Sequence, residues 1–93
     1  MIEFEGFEWD AGNLSHATRH GVTREEIEEA LVGGVVEVAK YLRRGEERYT
    51  VVARSPHTGA LLEMAVTERG KRLRVITAHV MKRGKRGRYE KEI

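Results

Sequence analysis

The sequence has 93 residues, of which 40% are hydrophobic, 34% are charged and none is cysteine. This length and composition favour one globular domain, and the lack of cysteine excludes disulfides, thiolate zinc sites and a cysteine nucleophile. No apolar run approaches the ~20 residues of a membrane span, and the acidic N-terminal segment is unlike a signal peptide, so we expect a cytoplasmic protein without membrane contact. The net charge of +2 conceals a gradient from −6 over residues 1–32 to +8 over residues 69–93. This gradient predicts that the C-terminal part attracts a polyanion.

The N-terminal third is predicted to form one strand and two helices. Apolar and acidic residues alternate over 2–7, as in a short half-buried strand. Asp10 is a suitable N-cap for a first helix that extends to about His20. The spacing of Thr23 and Glu26 is that of a capping box, which predicts a second helix over 24–32. The apolar stripe of this second helix consists of Ile27, Ala30 and Leu31.

The remainder is predicted to be a meander of four strands followed by a basic segment. Turn-forming residues separate the strands, which we expect over 35–42, 47–54, 61–67 and 73–81. The last segment, 82–93, should be a frayed helix or a tail, because Gly84 and Gly87 each disfavour a helix by about 1 kcal/mol. The sequence therefore predicts one α+β domain over 1–93, with an antiparallel sheet packed on two N-terminal helices.

Alternation along the strands separates two faces of this sheet. Three apolar sets should meet the helices: Tyr49, Val51 and Ala53; Leu62, Met64 and Val66; Ile76, Ala78 and Val80. The opposite face should carry Arg48, Thr50, Arg54, Glu63, Thr67, Thr77 and His79. Solvent exposure alone accounts for any one of these polar residues. Two arginines, a glutamate and a histidine on one face beside a basic tail nevertheless indicate a site.

The chemistry that such a face suggests is cleavage of RNA without a metal or other cofactor. Attack of the 2′-hydroxyl on the adjacent phosphate needs a base, an acid and cations for the developing charge. Glu63 or His79 would exchange protons. The cations that could hold the phosphoryl oxygens are Arg54, Arg74, Lys82 and Arg83. The alternative is structural: Glu63 then only pairs with an arginine, and His79 is a half-buried strand residue.

The C-terminal segment is the clearest signal for nucleic acid. Six basic residues lie between positions 82 and 91, and each phosphate that they neutralise adds affinity. They are Lys82, Arg83, Lys85, Arg86, Arg88 and Lys91. Tyr89 would stack on a base or, as the preferred alternative, pin the tail to the domain. A solvated tail or a docking patch for an acidic partner would have the same composition.

His16 and His20 have the i, i+4 spacing that can hold zinc. No third ligand of similar clarity appears, and the HEXXH motif is absent. A polar helix face, with His20 near the last-turn carbonyls, is the preferred interpretation, so no metal is expected.

Three segments together resemble the BrnT family of toxins. The first contains Phe7-Glu-Trp-Asp10, Asn13, His20-Gly-Val22 and Glu25-Glu26. The second contains Thr67-Glu-Arg-Gly70, Arg72 and Arg74-Val-Ile-Thr-Ala78, and the third is Tyr89-Glu90. Glu46-Glu47-Arg48 and Arg54-Ser55 also fit. The likeness covers nearly the whole chain, from about Phe4 to Glu90.

The resemblance implies a RelE-like fold and a ribonuclease toxin of a type II toxin–antitoxin system that inhibits translation. It implies a cognate ribbon-helix-helix antitoxin, with operator DNA bound only through that antitoxin. The residues carried over from the family pattern are Arg54, Glu68, Arg72 and Arg74. His79 replaces a common family arginine, and Gly84 replaces a glutamate in the closing segment.

Three functions therefore stay open from the sequence. The first is the ribonuclease toxin, and the second is a non-catalytic RNA- or protein-binding module on the same scaffold, which the glycines of the tail favour. The third is a metal-dependent enzyme that uses His16 and His20. An open edge of the sheet would also allow a homodimer.

Overall fold

The computed structural model describes residues 3–91. Five strands and three helices occur in this part of the chain. In chain order they are β1 (Gly6–Phe7), α1 (Ala11–Thr18), α2 (Arg24–Val32), β2 (Val36–Arg43), β3 (Glu46–Arg54), β4 (Leu61–Arg69), β5 (Arg72–Val80) and α3 (Arg83–Arg86). The predicted α+β class is confirmed. Residues 1, 2, 92 and 93, at the outer ends of the predicted first strand and last segment, lie outside the described residues.

The strands form one sheet in the order β1-β5-β4-β3-β2. β2 to β5 pair as an antiparallel meander, whereas β1 pairs with β5 in parallel. The sheet is therefore mixed, and the prediction of a wholly antiparallel sheet is wrong. The turn between β2 and β3 has positive φ at both Arg44 and Gly45. Two such residues form the type of tight turn whose twist matches that of the flanking strands.

The two N-terminal helices begin at the predicted caps. Asp10 and Asn13 form a reciprocal capping box at α1, and each side chain accepts from the backbone N–H of the other residue. Thr23 caps α2 by accepting from the N–H of Glu26 at 3.1 Å. The carboxylate of Glu26 does not return this bond, because it accepts from the buried Ser55 hydroxyl at 2.6 Å. α2 has its predicted bounds, and α1 ends two residues early, at Thr18.

The main core lies between the helices and one face of the sheet. The predicted apolar sets of β3, β4 and α2 are buried there. The set predicted for β5 is wrong except for Ala78, because Leu73 and Val75 are buried whereas Val80 is 53% exposed. Ala65 pairs with Thr77 and Val66 with Val75, so Ile76 is the extra residue of a β-bulge. The bulge shifts the alternation by one residue, which turns Ile76 away from the helices.

Side chains of α1 cover part of the outer edge of β5. The buried Asn13 donates from Nδ2 to the backbone carbonyl of Val75 at 3.0 Å, and Nδ1 of His16 lies 2.8 Å from the carbonyl oxygen of Ile76. These two bonds continue along the edge of the strand beyond the short pairing with β1. They hold α1 at the edge of β5, with Ala17 of α1 in the main core.

The C-terminal segment contains a single helical turn. Tyr89 packs against a small second core of Val52, Leu61 and Met81 on the face opposite α1 and α2. The C-terminal segment therefore covers one end of this face through Tyr89 and leaves the rest open. No helix of the described chain combines the length and apolar character needed to cross a membrane.

Candidate nucleic-acid interface

The uncovered part of the sheet forms one continuous depression, which we name the sheet groove. It consists of three adjoining clefts of about 330, 430 and 190 Å³. The first and second share His16, Arg48 and Ile76, and the second and third share Ala65 and Thr77. Because neighbouring clefts share walls, a chain-like ligand can lie across all three.

Three arginines from three strands meet at one end of the groove, and we name Arg48, Arg69 and Arg74 the arginine cluster. All three line the first cleft. Arg48 comes from β3 and Arg74 from β5, and both pair with Thr67 of β4, so their side chains flank the same point of the sheet. Arg74 is held firmly, since only 17% of its side chain is exposed. Sequence reasoning selected Arg48 and Arg74 but missed Arg69.

Carboxylates pair with every member of the arginine cluster. Glu46 binds Arg48 at 3.0 Å and Arg69 at 3.2 Å. The guanidinium of Arg48 holds the pKa of Glu46 below its ordinary value, with a smaller contribution from Arg69. The cluster is therefore electrically compensated on this side.

The N-terminal segment supplies the remaining carboxylates. Arg74 binds Glu8 at 3.1 Å and Asp10 at 2.8 Å, and Arg69 lies 3.4 Å from Glu8. Hydrogen bonding to Arg74, and then to the backbone N–H of Asn13, lowers the pKa of Asp10. A phosphate that binds Arg74 has to compete with Asp10, whose side chain is 58% exposed.

A second charged group lies at the other end of the groove. Nε2 of His79 is 3.1 Å from Oε1 of Glu63, and Nζ of Lys85 is 3.3 Å from Oε2 of Glu63. Because a carboxylate only accepts hydrogen bonds, Nε2 of His79 carries the hydrogen of this contact. The ring of His79 also lies edge-on to His20, with centroids 6.1 Å apart.

The floor between the two ends is made of small side chains. Thr50, Ala65 and Thr77 line the third cleft together with Glu63 and His79. Thr67, beside the arginine cluster, is four residues from Glu63 on β4, a distance of about 13 Å along the strand. The floor is thus long enough and low enough for an extended ligand to touch both ends.

Tyr41 is an aromatic side chain of the groove that sequence reasoning missed. It pairs with Arg48 across β2 and β3, lines the second cleft and is 38% exposed. Arg43 and Arg44 line the same cleft. The sequence pattern that could have identified Tyr41 is the alternation of side chains along β2, which places it on the same face as its partner Arg48.

Several predicted site residues lie outside the groove. Arg54 donates to Glu90 at 2.8 Å and to the carbonyl of Gly59 at 2.7 Å. Glu68 interacts with the hydroxyl of Tyr49, whose ring belongs to the core on the helix side. Neither side chain lines the three clefts.

Some residues of the basic segment form ion pairs with carboxylates, and the others have exposed side chains. Arg86 pairs with Glu90 at 3.5 Å, and Lys85 reaches Glu63. The remaining predicted contacts to RNA are exposed, and none of them lines the three clefts: Arg72, Lys82, Arg83 and Arg88. Tyr89 is packed on the second core, as its structural interpretation predicts, and does not present a free ring for stacking.

His16 and His20 have different surroundings. Ile76 holds His16, and His79 contacts His20. Within residues 3–91, no three His, Asp or Glu side chains converge in a way that could hold a metal ion. His16 therefore binds the edge of β5, whereas His20 lies beside the ring of His79.

No family model, curated protein or solved structure matches this chain. The resemblance to BrnT toxins thus stays a prediction from the residues quoted above.

Proposed function

We propose that the chain is a metal-independent endoribonuclease that binds single-stranded RNA in the sheet groove and cleaves it. The observation that supports this most is that the arginine cluster and the Glu63–His79 pair lie in one groove. The first supplies cations for phosphate, and the second supplies a group that exchanges protons.

The reaction is an attack of the RNA 2′-hydroxyl on the neighbouring phosphorus. The O2′–P bond forms, the P–O5′ bond breaks, and the products are a 2′,3′-cyclic phosphate and a 5′-hydroxyl. A proton leaves O2′ and another reaches O5′. Guanidinium groups suit the phosphoryl oxygens because they bind them bidentately.

Within the Glu63–His79 pair, His79 is the better proton carrier. Glu63 accepts from both His79 and Lys85, so its carboxylate is already engaged. Glu63 is then a positioning residue that orients the ring. In this arrangement His79 acts as the acid that protonates O5′.

Tyr41 takes the stacking role that the sequence suggested for Tyr89. Its ring borders the second cleft beside Arg43 and Arg48, where a base adjacent to a bound phosphate can reach it. Aromatic stacking contributes about 1–3 kcal/mol per base and tolerates any sequence. We therefore expect weak sequence preference at this position.

The cellular role rests on the resemblance to BrnT toxins. We propose a cytoplasmic toxin of a type II toxin–antitoxin module that inhibits translation. A ribbon-helix-helix antitoxin neutralises it and carries the complex to operator DNA. Growth arrest on expression, relieved by the product of an adjacent antitoxin gene, is the expected result.

A non-catalytic RNA- or protein-binding module is the second candidate. The observation that favours it is the pairing of all three arginines in the cluster with carboxylates, which weakens the hold on a reacting phosphate. This candidate predicts salt-sensitive binding with no cleavage.

A cleavage assay on single-stranded RNA in the presence of chelator separates the two candidates. The parent protein should produce cyclic phosphate ends. His79→Asn should lower the rate about 10²-fold or more with binding retained, and both Arg74→Gln and Tyr41→Ala should weaken binding. Arg24→Gln, on the helix side of the domain, is the matched control and should match the parent. Intact RNA after incubation with the folded parent, or full activity of His79→Asn, contradicts the proposal.

A further inference from the structure

We propose that His16 is the general base that removes the proton from the 2′-hydroxyl in the sheet groove. The proposal rests on the function proposed above and adds the second proton carrier that the reaction needs. It gives His16 a role other than the metal ligation considered from the sequence.

The hydrogen bond to Ile76 fixes which nitrogen of His16 is available. Its Nδ1 lies 2.8 Å from the carbonyl oxygen of Ile76, and a carbonyl oxygen only accepts. Nδ1 therefore carries a hydrogen, and in the neutral ring Nε2 bears the lone pair. No other group in the described part of the protein hydrogen-bonds to this ring, so Nε2 is open to a ligand.

The position of His16 in the groove suits a base. It lines both the first and the second cleft, as does Arg48. A phosphate held by Arg48 in the second cleft therefore lies beside the His16 ring and next to the third cleft, which His79 lines. The other charged groups around these two clefts are Arg43, Arg44, Glu46, Arg69 and Arg74.

Two neighbouring features hold the imidazole in place. The bulge at Ile76 leaves its carbonyl at the edge of β5, where His16 reaches it. Asn13, one turn earlier, ties α1 to the carbonyl of Val75. A catalytic group fixed in this way loses little freedom when the substrate binds.

The two proposed proton carriers line adjoining clefts of the groove, His16 the second and His79 the third. His16 precedes His20 by four residues, and the His20 ring is 6.1 Å from that of His79. Thr77 on the floor lies between the positions of Ile76 and His79 on β5. His16 takes the proton from O2′, and His79 gives one to O5′ as the P–O5′ bond breaks. Exchange with water restores both rings.

The test uses His16→Asn, because the asparagine amide can still donate to the Ile76 carbonyl but cannot accept a proton. Single-turnover rates are measured per folded molecule, together with the affinity for RNA. We expect the cleavage rate to fall by about 10²- to 10⁴-fold, with RNA affinity and thermal unfolding close to those of the parent. His16→Gln is the second variant if the first folds poorly, with the same expected loss. His57→Asn, in the loop after β3, is the matched histidine control and should cleave like the parent.

A substrate with sulfur in place of the bridging O5′ distinguishes a base from an acid. Its thiolate leaves without protonation, so the loss caused by His79→Asn should disappear on this RNA, whereas the loss caused by His16→Asn should persist. Recovery of His16→Asn on this substrate, or parent-like cleavage of ordinary RNA by His16→Asn, overturns the proposal for His16 alone. A parent protein that leaves RNA intact overturns the proposed nuclease function, and the assignment of His16 with it.

Discussion

Asp10 occupies the place on Arg74 that a phosphate oxygen would take. The two side chains are 2.8 Å apart, and the Asp10 carboxylate is exposed enough to exchange with a ligand. Asp10 is also the N-cap of α1, a position that asparagine fills equally well. Its charge can therefore be removed without loss of the cap.

We predict that Asp10→Asn tightens RNA binding by about two- to five-fold, the range of one exposed ion pair. The reason is that Arg74 no longer has to leave a carboxylate. Filter binding or fluorescence anisotropy on a short single-stranded RNA measures the effect. Glu25→Gln removes the same charge from the exposed first turn of α2 and should change affinity less. Equal gains from both variants would mean that net charge alone is responsible.

Residues that act through a side chain on a regular strand were predictable. Arg48, Glu63 and His79 share the face that simple alternation assigns to them. Arg69 was missed because it lies at the last position of β4, beyond the predicted strand end at 67. Asn13 and His16 were named from the sequence, but their contacts with β5 were missed because the partners are backbone carbonyls about 60 residues away, which no local pattern reveals.

Among the elements, α2 shows what the sequence can specify and β5 shows what it cannot. Thr23 and Gly33 bound α2 by local chemistry, so its limits follow from the residues themselves. The bulge in β5 depends on pairing with β4, and a run of apolar residues gives no sign of it. One inserted residue exchanges the two faces of the strand, which is why Val75 and not Ile76 is buried.

The short α3 offers a test at the scale of an element. Gly84 lies within its single turn, and a Cβ at this position would meet no atom within 4 Å. We predict that Gly84→Ala stabilises the protein by up to about 1 kcal/mol, through its higher helix propensity. Urea denaturation followed by circular dichroism measures the change.

Gly70 provides the matched control for that substitution. It has a φ of 63° in the turn between β4 and β5, so an alanine there is strained although space is available. Gly70→Ala should lower the free energy of unfolding. A loss of stability in Gly84→Ala as well would contradict the assignment of this turn as an ordinary helix.

For the whole molecule, the fold neutralises part of the charge gradient of the sequence by ion pairs. The acidic N-terminal segment contacts the basic last hairpin through Glu5–Lys71, Glu8–Arg69 and Asp10–Arg74. Opposite ends of the gradient therefore meet at one side of the sheet. The sequence alone suggested that the negative and positive segments lie apart, because linear order contains no information on which segments become neighbours.

This pairing predicts a stability that falls in acid. The pKa values of Asp10, Glu46 and Glu90 are lowered in the folded state, mainly by Arg74, Arg48 and Arg54 respectively. A carboxyl group whose pKa is lowered on folding stabilises the folded state at pH values above the ordinary carboxylate range. This stabilisation is lost as the pH falls through the folded-state pKa. The free energy of unfolding should therefore be constant near neutral pH and decline below about pH 4.5.

Urea denaturation between pH 3 and pH 7 measures this dependence. Glu90→Gln, which removes the carboxylate that pairs with Arg54, should be less stable at pH 7 and should show a shallower decline in acid than the parent. Parallel curves for the two proteins would show that this ion pair does not contribute.

The bonds from Asn13 and His16 to β5 also determine how the molecule can associate. Together with β1, they occupy hydrogen-bonding groups along one border of the sheet, while β2 forms the opposite border with its eight exposed or half-buried residues. Lateral growth by strand addition is thus possible in one direction only. Two copies that join through β2 would each cover the open edge of the other. Association by this route therefore ends at a dimer and does not extend into a fibre.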